Sequence, residues 1–175
     1  MPNPASYYQD CYKGQVFTAS IDGVTTSVAA NSTYTGLCIA NPTGSGVKAV
    51  IGKVGVGFKV AFAAASTVGL MVGSNSTAVT LSNTVTPVCL NVSANSLTPK
   101  VKAAFIATLP GVPVLATVFG VGLTGAITTT GGGLNFVDLQ DSIILQPGAF
   151  AALYTSTASG TNSTACSIMW TEAVN

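Results

Sequence analysis

Residues able to perform chemistry are few in this chain of 175 residues. It has no histidine and no arginine, and its six basic residues, all lysine, stand against five acidic ones. General acid–base catalysis usually requires a histidine or a carboxylate with a shifted pKa. Binding of phosphate or nucleic acid usually requires many arginines and lysines. We therefore predict no catalytic residue, no cofactor and no nucleic-acid partner, and we expect a structural protein rather than an enzyme.

The four cysteines are the other candidates for chemistry, and they are spread along the chain at Cys11, Cys38, Cys89 and Cys166. There is no CxxC pair and no histidine to complete a zinc site, so we predict no metal site. Four cysteines allow three disulfide pairings, and the spacing does not choose among them. The last three lie in apolar runs typical of buried strands. We therefore predict free thiols that behave as small hydrophobic side chains.

Two further motifs have a functional and a structural interpretation. Asp138 and Asp141 could ligate Ca²⁺ together with carbonyl oxygens, or they could bond local backbone N–H groups in a turn; we favour the turn. The glycines at 131–133 lack the lysine and the hydroxyl residue of a phosphate-binding loop. We interpret the tract from Gly120 to Gly133 as a long surface loop.

Three tyrosines near the N-terminus are the candidate interface residues: Tyr7, Tyr8 and Tyr12. A tyrosine buries a large ring and keeps a polar tip, which suits an interface. Pro2 and Pro4 disfavour regular structure, so residues 1–14 are predicted to form an extended arm that lies across a neighbouring subunit. The alternative, a tail packed on its own domain, stays open.

Turn signals recur about every ten residues, with short β-branched or aromatic runs between them. This spacing is typical of an all-β sandwich or barrel, and it places one domain over residues 15–175. The predicted strands cover 15–20, 25–30, 34–40, 48–59, 66–72, 85–90, 100–107, 114–118, 134–139, 142–145, 149–155 and 166–174.

Alternation within two strands predicts which side chains face the core. Val50, Gly52, Val54, Val56 and Phe58 share one face of the long strand, opposite a face that carries Lys53 and Lys59. In the last strand Cys166, Ile168, Trp170, Glu172 and Val174 share a face. We predict that Trp170 is a core residue that anchors this strand.

The net charge of +1 and the mean hydropathy of +0.57 indicate whether the chain associates with other copies. Solubility is usually aided by a net charge well away from zero, so the chain is predicted to form a homo-oligomer. No stretch approaches 18 consecutive apolar residues, and we expect no membrane span. The N-terminus lacks the basic and apolar regions of a secretion signal, and none is expected.

Both ends of the chain carry familiar sequences. The first is NPASYYQDCYKG at residues 3–14; the others are ILQPGAFAALYT at 144–155 and SIMWTEAV at 167–174. These segments resemble small structural proteins of tailed bacteriophages, in particular capsid cement, or decoration, proteins. The middle of the chain carries no such resemblance.

The resemblance implies a jelly-roll-like antiparallel β-sandwich without catalysis. It also implies an oligomer, with a trimer favoured, that binds the major capsid protein on the outer surface of the virion. The alternatives are another virion part, such as a head fibre, a tail component or a receptor-binding protein. An enzyme that acts on cell-surface glycans is a third hypothesis.

Overall fold

The computed structural model describes residues 4–27, 33–62, 64–75, 77–92, 97–122, 134–159 and 164–174. This part of the chain forms one helix and eleven strands. They are α1 (Pro4–Tyr12), β1 (Val16–Val24), β2 (Thr33–Ala40), β3 (Val47–Phe58), β4 (Ser66–Ser74), β5 (Thr80–Val85), β6 (Val88–Cys89), β7 (Lys102–Thr108), β8 (Val114–Gly122), β9 (Leu134–Leu145), β10 (Ala149–Thr155) and β11 (Thr164–Val174).

The strands form two antiparallel sheets that pack face to face. Sheet A has the order β6-β1-β11-β3-β9, and sheet B has the order β5-β7-β2-β10-β4-β8. The fold is a single-domain, all-β, jelly-roll-like sandwich, which confirms the predicted fold class. Gly120–Gly122 end strand β8, and the rest of the predicted glycine-rich loop, residues 123–133, lies outside the described residues.

The core between the sheets is organised around β11, whose residues from Cys166 to Glu172 alternate between buried and half-buried as predicted. Val174, which was predicted on the buried face, is exposed at the end of the strand. Trp170 is fully buried, and its ring centroid lies 6.1 Å from that of Phe17 on the neighbouring strand. The Glu172 carboxylate is also buried there. It accepts hydrogen bonds from the backbone N–H groups of Lys100 and Val101 and from Trp170 Nε1. This acid therefore ties the segment before β7 to the end of β11.

The predicted faces of β3 are correct only in the second half of the strand. Val54 and Val56 are buried, but in the first half the buried residues are Ala49 and Ile51. The register with β11 shifts at Gly52, which is an extra residue in β3. A β-bulge moves the side chains that follow it to the opposite face. The bulge therefore exchanges the two faces at midstrand.

Three strand predictions also differ from the structure. β5, at 80–85, is polar and was predicted only at Val85, and the predicted strand 85–90 is broken between β5 and the two-residue β6. The described part of 25–30, residues 25–27, lies outside any strand. The predicted strands 134–139 and 142–145 are one strand, β9. Its register with β3 jumps from Asp138 to Ile143, so the residues between them leave the regular ladder.

The central strands of sheet B are buried on both faces. Leu37, Ile39 and Leu153 point into the core shared with sheet A, whereas Tyr34, Cys38 and Phe150 belong to a second buried cluster on its outer face. The connections from β4 to β5 and from β7 to β8 each join strands from opposite sides of this sheet, and Val79 and Leu109, which lie in these connections, contact the cluster. Strands buried on both sides have continuous apolar sequences, and the central strands of sheet B have such sequences.

The N-terminal prediction is corrected at residues 4–12, which form helix α1 rather than an extended arm. Pro4 stands at the first helical position, where a proline is preorganised and its missing N–H costs nothing. Gly14, with φ of 74°, ends the helix. The N–H of Gln15 bonds the carbonyl of Asp10, the closure of a Schellman motif. A proline at the start and a glycine after the end are helix signals that the composition argument overlooked.

Candidate functional site

Helix α1 lies on the outer face of sheet A and is held there by side chains. The Tyr7 hydroxyl donates to Met169 Sδ at 2.9 Å. The Lys53 ammonium lies over two rings, 5.7 Å from the centroid of Tyr7 and 5.9 Å from that of Phe136. At the end of the helix, Asn91 Nδ2 donates to the carbonyl of Tyr12 at 2.7 Å. These contacts fix the position of the helix on the sheet.

The predicted interface tyrosines are brought together on this helix. Tyr8 and Tyr12 are one turn apart, and their rings stack with centroids 6.4 Å apart and planes inclined by 22°. They are 70% and 74% exposed, and Phe136 is 63% exposed. We call the surface formed by Tyr7, Tyr8, Tyr12, Lys53 and Phe136 the tyrosine face.

Acidic groups border the tyrosine face where β9 leaves its regular ladder. Gln140 and Asp141 have φ of 52° and 58°, and Asp138 Oδ1 accepts a hydrogen bond from the N–H of Gln140 at 2.9 Å. This is an Asx-type turn, which confirms the turn interpretation for Asp138. A Cβ added at Gly52 would lie 3.1 Å from Asp141 Oδ1. The glycine at the bulge in β3 therefore leaves room for this turn.

The ionisation of two groups at the tyrosine face is shifted in the same direction. Partial burial, with help from Cys11 and then from Asp141 and Asp138, raises the pKa of Tyr7 to about 12. Partial burial also raises the pKa of Asp141; Asp138 and Asp10 raise it further and Lys53 opposes them. Tyr7 is therefore neutral at physiological pH, and it donates its proton to sulfur in a contact that ionisation would break.

Beside the helix, the outer face of sheet A carries a shallow trough of about 300 Å³. Its floor consists of small side chains or none, and Phe136 forms one wall. The floor residues are Ser20, Gly55, Gly57, Ala165 and Ser167. A Cβ at Gly55 would lie 2.9 Å from Ser167 Oγ. The trough continues the tyrosine face with a flat, uncharged surface that admits close backbone approach.

The cysteines are free, as predicted, and three of the four are buried. Burial raises the pKa of the Cys38 thiol to about 12 and that of Cys166 well above its ordinary range. The thiolate is the nucleophilic form of cysteine, so these two groups are inert at neutral pH. Their role is packing in the two cores.

In the part of the chain that the structure describes, no group of three or more histidine, cysteine or acidic residues could hold a metal ion. No helix among these residues is long and apolar enough to cross a membrane.

The sequence pointed to the tyrosines but not to their surroundings. Lys53 was assigned to the wetter face of β3, and this assignment is correct, but nothing in the sequence placed it beneath Tyr7. Phe136 was one apolar residue in a predicted strand, and only the structure shows that its ring lies over Gly55 on the exposed outer face of sheet A. Because these contacts join residues far apart in the chain, local pattern could not reveal them.

No model of a known protein family, no curated protein and no solved structure matches the chain.

Proposed function

We propose that this protein is a structural component of a phage virion, a capsid decoration protein that docks through its tyrosine face on the major capsid protein. It acts as a homo-oligomer and catalyses no reaction. The observation that carries the proposal is the tyrosine face itself, an exposed aromatic surface on a helix that the fold holds rigidly on sheet A. The end-of-chain resemblance supplies the identity of the partner.

Rigid, exposed tyrosines are efficient docking residues. Each ring offers an area of about 150–250 Å², and little rotamer entropy is lost when it is buried. Completing the burial of Tyr8 and Tyr12 would contribute on the order of 5 kcal/mol before association costs, at about 25 cal/mol per Å². Because the two rings already stack on each other, little ordering remains to be done on binding. The trough beside them allows the partner's backbone to approach sheet A closely.

A shell-stabilising role fits the remaining surface chemistry. The net charge of +1 provides no long-range attraction to DNA or to a charged membrane. Specific protein interfaces of ordinary size bury about 1,200–2,000 Å². A small sandwich that adds such an interface at many lattice points strengthens a shell without needing a reactive group.

Immunogold electron microscopy of the virions tests the location. Antibody against the chain is expected to label the capsid surface. Label confined to the tail or to a fibre would overturn the decoration role and favour another virion part. Absence of the chain from purified virions would overturn the proposal altogether.

Binding to heads that lack the protein tests the docking surface. The Tyr8→Ala/Tyr12→Ala variant is expected to bind at least tenfold more weakly than the native chain, since truncated aromatic anchors commonly cost more than 1 kcal/mol each. Tyr8→Phe/Tyr12→Phe retains the rings and is expected to keep most of the binding. Ser82→Ala, at an exposed position on edge strand β5 of the other sheet, is the control. Unchanged binding by the double alanine variant, with its fold verified by circular dichroism, would refute docking through the tyrosine face.

A further inference from the structure

A second exposed surface lies where the two sheets meet at one flank of the sandwich. β8 is the edge strand of sheet B, β9 is the edge strand of sheet A, and the two strands are in contact. Exposed apolar side chains collect there, and we call this set the apolar flank: Val112, Val114, Leu115, Val118, Val121 and Ile144. A groove of about 530 Å³ opens between the edges, lined by residues that include Val112, Val114 and Ile144.

The apolar flank contains no charged residue. The sequence has no lysine or acid from Ala103 to Val137, and none from Ser142 to Thr171. The two acids between these stretches, Asp138 and Asp141 of β9, lie where that strand leaves its regular ladder and do not line the groove. Natural edge strands are usually protected by charges, prolines or bulges. β8 carries no charge, but the register with β4 leaves two extra residues in it, Ala116 and Phe119. These bulges interrupt the hydrogen-bonding edge and leave the apolar side chains exposed, so any partner is contacted through side chains rather than by added strands.

We infer that the apolar flank is the interface between copies of this chain. In a twofold contact the same patch lies on both copies, so a patch whose charges all share one sign brings like charges together. A flank without charges has no such penalty, and its side chains can pack against the same side chains of a second copy. Exposed apolar surface that is contiguous in this way marks an association site.

The opposite flank of the sandwich is less suited to self-association. It too has a groove, of about 660 Å³, and exposed apolar residues, Val88, Val92 and Leu97. However, the exposed residue Lys102 lines this groove, and a twofold contact would bring lysines together. The neighbouring edge strand β5 exposes polar side chains and has Asn83 in a left-handed conformation. Charge therefore selects the β8 flank for a second copy.

Sedimentation velocity on the full chain tests the inference. The native protein is expected to be oligomeric at micromolar concentration. Val114→Lys and Val118→Lys are each expected to weaken self-association at least tenfold, because each would bury an unpaired charge in an apolar interface. Val92→Lys, at a still more exposed valine on the other flank, is the control and is expected to associate like the native chain.

Several outcomes would overturn the inference. They are a monomeric native protein at tens of micromolar, a Val118→Lys variant as oligomeric as the native chain, or a Val92→Lys variant that dissociates equally. If a lysine variant fails to fold by circular dichroism, Val118→Thr replaces it. It is expected to weaken association measurably, and native-like association by this variant would also count against the inference.

This inference rests on the proposed function, which includes self-association. Measuring the binding of the variants to heads distinguishes a failure of the flank interface from a failure of the docking proposal. A monomeric Val118→Lys variant is expected to keep the tyrosine face and to bind heads with reduced avidity, because linked docking sites bind more tightly than single ones. If the lysine variants stay oligomeric and bind heads, the flank is wrong and the docking proposal stands. If they become monomeric and neither they nor the native chain binds heads, the flank stands and the docking proposal fails.

Discussion

The outer faces of the two sheets differ in how far they are buried. On sheet B, Tyr34, Cys38 and Phe150 are buried beneath the chain's own crossing connections. On sheet A, the helix that crosses the outer face adds Tyr8 and Tyr12 without burying them. The same fold therefore covers the central strands of one sheet and leaves an aromatic surface on the other. Sheet A therefore does not expose aromatic side chains because it lacks a covering segment. Helix α1 covers part of its outer face, and the helix itself presents further exposed rings.

Matched phenylalanines on the two outer faces give the largest expected contrast. Phe150, on sheet B, is 1% exposed. Phe150→Ala is expected to lower the free energy of unfolding by about 3–5 kcal/mol, since it opens a cavity in the second core. Phe136→Ala, on sheet A, is expected to cost less than about 1 kcal/mol, because its ring is largely in water. Urea denaturation of the two variants measures both values.

Equal losses in the two phenylalanine variants would break the comparison. A small loss at Phe150 would mean that the outer cluster of sheet B is loosely packed in solution. A large loss at Phe136 would mean that the tyrosine face is itself a core, for example one covered by a second copy of the chain.

A glycine pair tests how tightly the outer face of sheet B is closed. Gly36 has φ of 122°, and a Cβ there would overlap the Tyr34 hydroxyl and lie 2.9 Å from Thr26 Cγ2. Gly36→Ala combines backbone strain with overpacking and is expected to cost about 2–5 kcal/mol. Gly44 also has positive φ, at 77°, but a Cβ there would meet nothing within 4 Å. Gly44→Ala therefore isolates the strain, at about 1–2 kcal/mol.

Thermal or urea unfolding of both glycine variants measures their free energies of unfolding. A Gly36→Ala variant no less stable than Gly44→Ala would show that Tyr34 can move aside, which contradicts a closed outer face on sheet B.

The two faces also show how far the sequence alone can predict this molecule. Turn spacing predicted the fold class, and alternation predicted the buried face of β11 and the core position of Trp170. The continuous apolar runs of β2 and β10 carried the signal for a doubly buried sheet, but the crossing connections that cover it are long-range. The N-terminal helix was missed because Pro4 was interpreted as a breaker. The bulge at Gly52 has no local signature that separates it from the other glycines of β3.

The candidate site was predictable only in part, for the same reason. The three tyrosines were predicted as interface residues because they lie close together in the sequence. Lys53, Phe136 and Met169 come from three different strands, and sheet topology alone brings them to α1. The apolar flank likewise depends on which strands end up at the edges. Local sequence can supply the surface residues, but topology decides which of them meet.

The buried thiol of Cys38 predicts that the stability of the protein depends on pH, and this dependence tests whether the outer face of sheet B is closed to water. Its pKa in the folded chain is about 12, against an ordinary value of 9.0, because burial disfavours the thiolate. Below pH 9 both states hold the proton and the full stability is present. Between pH 9 and 12 the unfolded chain ionises first, so the unfolding free energy falls by up to about 1.4 kcal/mol per pH unit for this group.

Urea denaturation at several pH values measures this slope in the native chain and in Cys38→Ala. The variant is expected to start from a lower stability, because it leaves a small cavity, but to lose less stability per pH unit above pH 9. Identical slopes would show that Cys38 ionises as readily in the folded as in the unfolded chain, and the outer face of sheet B would then be open to water.

The smallest expected effect comes from removing one hydroxyl from each face. Tyr34 Oη donates to the carbonyl of Leu153 at 2.6 Å in a fully buried site. Tyr34→Phe deletes that hydrogen bond and is expected to cost about 1 kcal/mol. Tyr12→Phe keeps its exposed ring, and its unfolding free energy is expected to stay within about 0.5 kcal/mol of the native value. Urea denaturation of both variants under one set of conditions resolves the difference. Because the two substitutions remove the same atom, unequal costs isolate burial as the cause. Equal costs would mean that water reaches the Tyr34 hydroxyl, and sheet B would then be no more closed than sheet A.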